Sequence, residues 1–353
     1  MPEFVIQTPK GIRKIGAGQS VFIVAEMSGN HNQSLKRALK IVDAAAAAGA
    51  DAVKLQTYTP DTITIDCDRE YFKIKQGTLW DGTTLYKLYQ KACTPWEWLP
   101  KLQKIAQNSG MEFFSSVFDK TAVDFMEKMG VVAYKIASFE ITDIALIEYA
   151  ASKKKPMVIA TGIADYSEIK EAVVACKKAG NFQIALLKCI SAYPAPMDEV
   201  NLKTIPDMEK KLGVVAGLSD HTLGIAAPIA AVALGARIIE KHFTLNKSDG
   251  GADVAFSLEP SEFKAMVAGV RDAEKALGQV SYKFSDKMKK NREFCRSLFV
   301  IEDMEAGEKF TSNNVRSIRP GYGMLPKFLS KVIGKTAGKK IRRGTPLKRN
   351  LIK

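Results

Sequence analysis

Val21-Phe22-Ile23-Val24-Ala25-Glu26-Met27, followed at once by Ser28-Gly29-Asn30-His31-Asn32, is the stretch that decides the fold. Its first seven residues form the apolar run expected of a parallel strand buried on both faces. The main alternative, an open doubly wound sheet, would be expected to carry a Gly-rich phosphate loop after its first strand. The residues after Met27 lack the G-x-G-x-x-G spacing of that loop. Outward from this point the same alternation of short strand and amphipathic helix recurs. Strands are predicted at Ala52–Tyr58, Met111–Phe118, Val131–Ser138, Pro156–Gly162, Ile184–Ile190, Val214–His221 and Arg237–Thr244. Helices are predicted at Ser34–Ala48, Pro95–Ser109, Lys120–Lys128, Ser167–Lys178, Gly224–Leu234 and Ser261–Leu277. Ser34 is a suitable N-cap for the first and Gly49 a suitable stop. Eight strand–helix units predict an α/β fold, a (β/α)8 TIM barrel, over residues 1–280.

One connection, Thr59 to Thr94, is too long for a plain loop and contains Trp80, Tyr86 and Tyr89. Its aromatic content predicts a packed lid. Residues 281–294 read as a charged linker. Beyond it, segments such as Ser297–Ile301 and Val315–Ile318, broken by glycines, predict a small β-rich domain over 295–353 that is marginal by itself.

The 353 residues are 46% hydrophobic and 25% charged, ordinary for a soluble globular protein. No apolar run approaches the roughly 20 residues that cross a bilayer, and Met1-Pro2-Glu3-Phe4 does not resemble a secretory signal. The five cysteines (Cys67, Cys93, Cys176, Cys189, Cys295) are scattered and never form a C-x-x-C pair. That pattern points to free thiols and a cytoplasmic location. The net charge of +14 is concentrated: from Ser281 onward there are 19 Lys/Arg against 6 Asp/Glu. Such a region suits nucleic acid, a membrane surface or a small, multiply anionic substrate. It lacks the aromatic interleaving and motifs of a nucleic-acid binder, so neither nucleic acid nor membrane is expected as a partner.

Catalytic side chains of a TIM barrel project from the C-terminal ends of its strands. All three histidines, His31, His221 and His242, fall at or just after such ends. His221 and His242 end neighbouring strands and could share a metal. Two imidazoles with room for water and substrate oxygens suit Mn2+, with Mg2+ or Co2+ as alternatives. The plainer reading is two hydrogen-bonded histidines at the barrel mouth. Lys54 and Lys135 place charge inside apolar strands, which is costly without a partner that an anionic ligand would supply. Lys188 and Lys241 share this context, but their direction is not readable. Glu26 and Glu140 complete the set. Lys135 and Ser138 differ in parity, so the fourth strand must end near Ala137 for both to reach the site.

The segments Val24–Asn32, Lys54-Leu55-Gln56, Ser138-Phe139-Glu140, Gly217–Thr222 and Glu240–Thr244 resemble the sialic-acid synthase family. Ser317–Gly323 resembles that family's C-terminal antifreeze-like (SAF) module. Within the family, Thr84–Tyr89, Thr94–Trp98 and Ser248–Asp253 with Phe256–Pro260 are most similar to the bacterial pseudaminic acid synthases. Val117 and Ala252 depart from the family, which commonly has proline there. The resemblance implies a metal-dependent condensation of phosphoenolpyruvate with an amino-sugar aldehyde. It implies that phosphoenolpyruvate meets Lys54, Ser116, Lys135, Ser138, Thr161, Ser191 and Ser219. Tyr193, Asp253 and Arg319 would meet the sugar, His221 and His242 the metal, and Glu26 or Glu140 would position the attacking water. It further implies a domain-swapped homodimer in which Arg319 covers the partner's barrel mouth. A neuraminate or legionaminate synthase, with the same chemistry on another sugar, is the alternative; a nucleic-acid-binding protein is a distant one.

Overall fold

The computed structural model describes residues 3–8, 11–75, 77 and 79–353. The chain divides into two compact units, Met1–Gly278 and Gln279–Lys353. In the first, an antiparallel hairpin of β1 (Glu3–Thr8) and β2 (Gly11–Gly16) precedes eight parallel strands. These are β3 (Phe22–Glu26), β4 (Ala52–Thr57), β5 (Glu112–Val117), β6 (Tyr134–Ile136), β7 (Met157–Ala160), β8 (Ile184–Lys188), β9 (Val215–Asp220) and β10 (Ile238–His242). They close into a barrel in which β10 pairs with β3. Each lies inside a window predicted from the sequence, and the TIM barrel is the fold that forms.

Alternation along each strand sorts the side chains. Val53 and Leu55 face outward and join Leu99 and Leu102 of the helical layer. Phe22, Val24, Ala52, Phe114, Val158 and Ile238 face inward and meet Phe4, Ile6 and Ile15 of the hairpin. The hairpin therefore plugs the N-terminal end of the barrel, and the Val5 amide donates to Gln183 Oε1 at 2.8 Å. The sequence reading passed over this element because Arg13 and Lys14 dilute its apolar pattern. With apolar side chains filling the lower barrel, polar inward positions are left for the upper end. At Gly217 in β9 an added Cβ would lie 2.4 Å from the Ile238 carbonyl oxygen. Only glycine lets β9 and β10 approach this closely.

The outer helices follow the predicted caps. Leu35–Ala47 begins at Ser34, whose hydroxyl accepts from the Arg37 amide, and Pro260–Leu277 closes the barrel. Ile144–Ser152 and Thr204–Leu212 add helices not predicted individually. The long connection packs as expected of a lid: it carries helices Pro60–Ile63 and Leu85–Ala92. Trp80 Nε1 donates to the Ala252 carbonyl at 3.0 Å. No helix among the described residues is long and apolar enough to cross a membrane.

In the second unit, β11 (Ser297–Val300) pairs antiparallel with β12 (Val315–Ile318). Leu298, Val300, Phe310, Val315, Ile341 and Leu347 belong to its separate core. The segment read as a linker contains a short helix, Asp286–Asn291, capped by Ser285.

Candidate active site

Strand register assembles the site at the C-terminal end of the barrel. His242 lies opposite Glu26, and Glu26 opposite Lys54; Ser116 lies opposite Lys135, and Ser219 opposite Glu240. The side chains meet accordingly. Lys54 Nζ is 2.7 Å from Glu26 Oε2 and 3.5 Å from Glu240 Oε1, and donates to Ser116 Oγ at 3.0 Å. Lys135 Nζ lies 4.0 Å from the same Glu240 oxygen, to which Ser219 Oγ donates at 3.1 Å. All of these side chains are buried. Two ammonium groups and two carboxylates thus share one enclosed space.

Burial and charge oppose each other here. Burial disfavours the Lys54 ammonium, but Glu240 and Glu26 outweigh it and raise its pKa. For Lys135 burial wins, and its pKa falls. Burial raises Glu26, whereas at Glu240 the two lysines overcome burial and hold the carboxylate ionised.

β6 ends at Ile136 and a 3-10 turn spans Ser138–Glu140, so Lys135 and Ser138 both reach the site despite their parity. Ser138 Oγ accepts from the Gly162 amide at 3.1 Å. A Cβ on Gly162 would lie 2.2 Å from Ser191 Oγ and 2.7 Å from Ser138 Oγ, so this glycine lets the two hydroxyls converge. Thr161, next to Gly162, is buried and donates to the Leu187 carbonyl at 3.2 Å. Burial pushes the Glu140 carboxyl up to about 7. A folded-state pKa above 4.5 means that protonated Glu140 favours the native state below that pH, and this contribution disappears as pH rises through about 7. Glu140→Gln is expected to flatten that part of the stability profile. Urea midpoints of both proteins across the window test this, and parallel profiles would contradict it.

His221 and His242 lie with ring centroids 5.2 Å apart. His221 Nδ1 donates to the Ile190 carbonyl at 2.8 Å, which leaves Nε2 unprotonated in the neutral ring. His242 Nδ1 is buried without a hydrogen-bond partner, and burial first, then His221, lowers its pKa well below the usual value. A neutral imidazole with an orphaned nitrogen is the form that binds a cation. At His221 burial is outweighed by Cys189 and the Ile190 carbonyl, which raise its pKa, so a divalent ion shared by the pair would displace a proton from His221 and take water or substrate as its other ligands. Among the described residues no cluster of three or more His, Cys, Asp or Glu is arranged to hold one.

Aromatic rings line this end of the site. Tyr193 packs 4.6 Å from the His221 ring, and Trp80 of the lid 5.6 Å from Tyr193. Asp253 accepts from Ser28 Oγ, and Gln56 donates to both Glu26 and Ser28 at 3.0 Å. Asp253 is thereby linked through polar side chains to Glu26. Arg319 is exposed in the second unit, directly after β12.

The structure corrects the grouping of the histidines. His31 ends the 3-10 turn Ser28–His31 that follows β3, and its Nδ1 accepts from the Gln33 amide while its Nε2 pairs with Thr94 Oγ1, both at 3.1 Å. Burial lowers its pKa to about 4. It is a structural residue that fastens the start of one loop to the end of another. Lys241 also points away from the site, to Asp220. Gln56, Glu240 and Phe256, whose ring is 4.8 Å from His242, were not selected from the sequence. Parity with Lys54 and His242 marks the first two; no periodic signal marks Phe256.

Comparison with known proteins places the two units. The model of the NeuB family matches residues 41–282 and that of the SAF domain matches 296–353. The chain is 47% identical to the pseudaminic acid synthase of Campylobacter jejuni, over 96% of this chain and 98% of that protein. It is 36% identical to the N,N'-diacetyllegionaminic acid synthase of Legionella pneumophila, over 96% of each. Its fold is similar to the crystal structure of the Bacillus subtilis spore coat polysaccharide biosynthesis protein spsE (TM-score 0.67, 33% identity, 99% of each chain). With a family model covering most of the barrel, an SAF model covering the second unit and 47% identity over nearly the whole chain, the chain belongs to the NeuB family.

Proposed function

We propose that the chain condenses phosphoenolpyruvate with 2,4-diacetamido-2,4,6-trideoxy-L-altrose, giving pseudaminic acid and phosphate. The observation that carries the chemistry is the enclosed pair Lys54 and Lys135 beside the two imidazoles. The sugar follows from the higher identity to the pseudaminic acid synthase than to the legionaminic one.

In this reading Lys54 and Lys135 receive the carboxylate and phosphate of phosphoenolpyruvate. The hydroxyls of Ser116, Ser138, Thr161, Ser191 and Ser219 fix its orientation. A divalent cation, Mn2+ by preference, held by His221 and His242 would supply Lewis acidity toward the sugar aldehyde. Attack by C3 of phosphoenolpyruvate on that aldehyde forms the new C–C bond. Water positioned by Glu26 or Glu140 adds at C2, and phosphate leaves with cleavage of its C–O bond. Tyr193 and Asp253 orient the sugar's hydroxyl and acetamido groups. The basic second unit, through Arg319, covers the barrel of a partner subunit in a swapped dimer.

Phosphate release, measured with Mn2+ and each candidate sugar in parallel, tests the proposal. The altrose derivative is expected to be turned over far faster than N-acetylmannosamine or the legionaminic precursor. Preference for either of those would replace the sugar, and no release with any would overturn the reaction.

A further inference from the structure

Lys241 and Asp220 form the most deeply buried ion pair among the described residues, with side chains 0% and 1% exposed and Nζ 2.6 Å from Oδ2. They lie directly opposite each other in the β9–β10 register, on the outer face of the barrel. Lys241 adjoins His242, and Asp220 adjoins His221. The lysine also donates to the Thr222 carbonyl, just beyond His221. Asp220 accepts from the Thr222 amide at 3.0 Å and from its hydroxyl at 3.2 Å. One cross-strand tie therefore fixes the two strand ends, and the turn, from which both imidazoles project. Gly217 draws the same two strands together lower down.

A buried ion pair is a poor source of stability: replacing both partners by apolar groups of similar size is often neutral or favourable. Its place behind the histidines suggests a different use. We infer that Asp220 and Lys241 are positioning residues, which hold His221 and His242 at the separation a shared divalent cation requires. The inference rests on the metal reading proposed above and adds residues that touch neither cation nor substrate. Groups that orient metal-bound histidines typically change metal affinity by about 10–100-fold.

The test is Mn2+ binding to the full chain, followed by the electron paramagnetic resonance signal of the free ion. The double variant Asp220→Leu/Lys241→Met is expected to melt cooperatively near the wild-type temperature and to bind Mn2+ about 10–100-fold more weakly. The Mn2+ concentration for half-maximal turnover should rise by the same factor, while the KM for phosphoenolpyruvate at saturating Mn2+ stays unchanged. Should that double variant not fold, Asp220→Asn/Lys241→Met serves: the amide can keep the bonds to Thr222, both charges are removed together, and Mn2+ binding should weaken in the same direction. Wild-type affinity in the folded variant would overturn the inference alone. So would a matching rise in the phosphoenolpyruvate KM, the mark of general distortion. A wild-type chain that binds no Mn2+ would overturn the metal reading and this inference with it.

Discussion

His242→Ala is expected to abolish phosphate release while leaving the barrel folded. His242 ends β10, and its Nδ1 makes no hydrogen bond that the fold would lose. Its ring rests against His221 and Phe256, so truncation leaves a small cavity costing about 0.5–3 kcal/mol, the usual range for one substitution. The chemical loss is much larger. In the proposed mechanism one imidazole would not hold the divalent ion as two would, and the Lewis acidity that the ion would supply toward the aldehyde would be lost. Turnover should fall below detection at Mn2+ concentrations that saturate the wild type, with circular dichroism unchanged. A variant that releases phosphate at a near-normal rate would remove the metal from the mechanism.

Lys54→Met should damage both stability and catalysis. Lys54 lies between Glu26 at 2.7 Å and Glu240 at 3.5 Å, and is itself buried. Removing one partner of a buried pair typically costs about 3–5 kcal/mol, because the remaining charge has lost its counter-ion. Here two carboxylates are affected, and Glu26, already raised by burial, would take up a proton first. For the reaction, losing one positioned donor to a developing charge typically costs about 10²–10³ in rate. The expected result is a lower urea midpoint together with a fall of that order in kcat/KM for phosphoenolpyruvate. Unchanged kcat/KM would mean that the lysine serves only its two carboxylates.

The barrel was legible because its strands are buried on both faces. Val21–Met27 and Ala52–Tyr58 read as apolar runs, and a lysine within such a run stands out. Lys54 and Lys135 were found in this way, and strand register then explains why Glu26 meets Lys54, while Ser116, opposite Gln56, reaches Lys54 diagonally on the same face. The histidines show the limit of that signal. A position at or just after a strand end does not give a ring's direction, and His31 turns toward Thr94 and away from chemistry. Phe256 and Trp80 lie in loops without a repeating period. Their contacts with His242 and Tyr193 depend on chain paths that no local pattern encodes. The N-terminal hairpin was missed because only Phe4, Ile6 and Ile15 of its strands join the apolar core under the barrel.

That hairpin has a consequence for how the molecule assembles. Its seat is built from residues as far apart in the chain as Phe22 and Ile238, so the seat exists only after the ring of strands has closed. Contacts of such long sequence separation form late and slowly. The Val5 amide, bonded to Gln183, should therefore gain protection from solvent deuterium among the last in the unit, a natural reporter for completed folding.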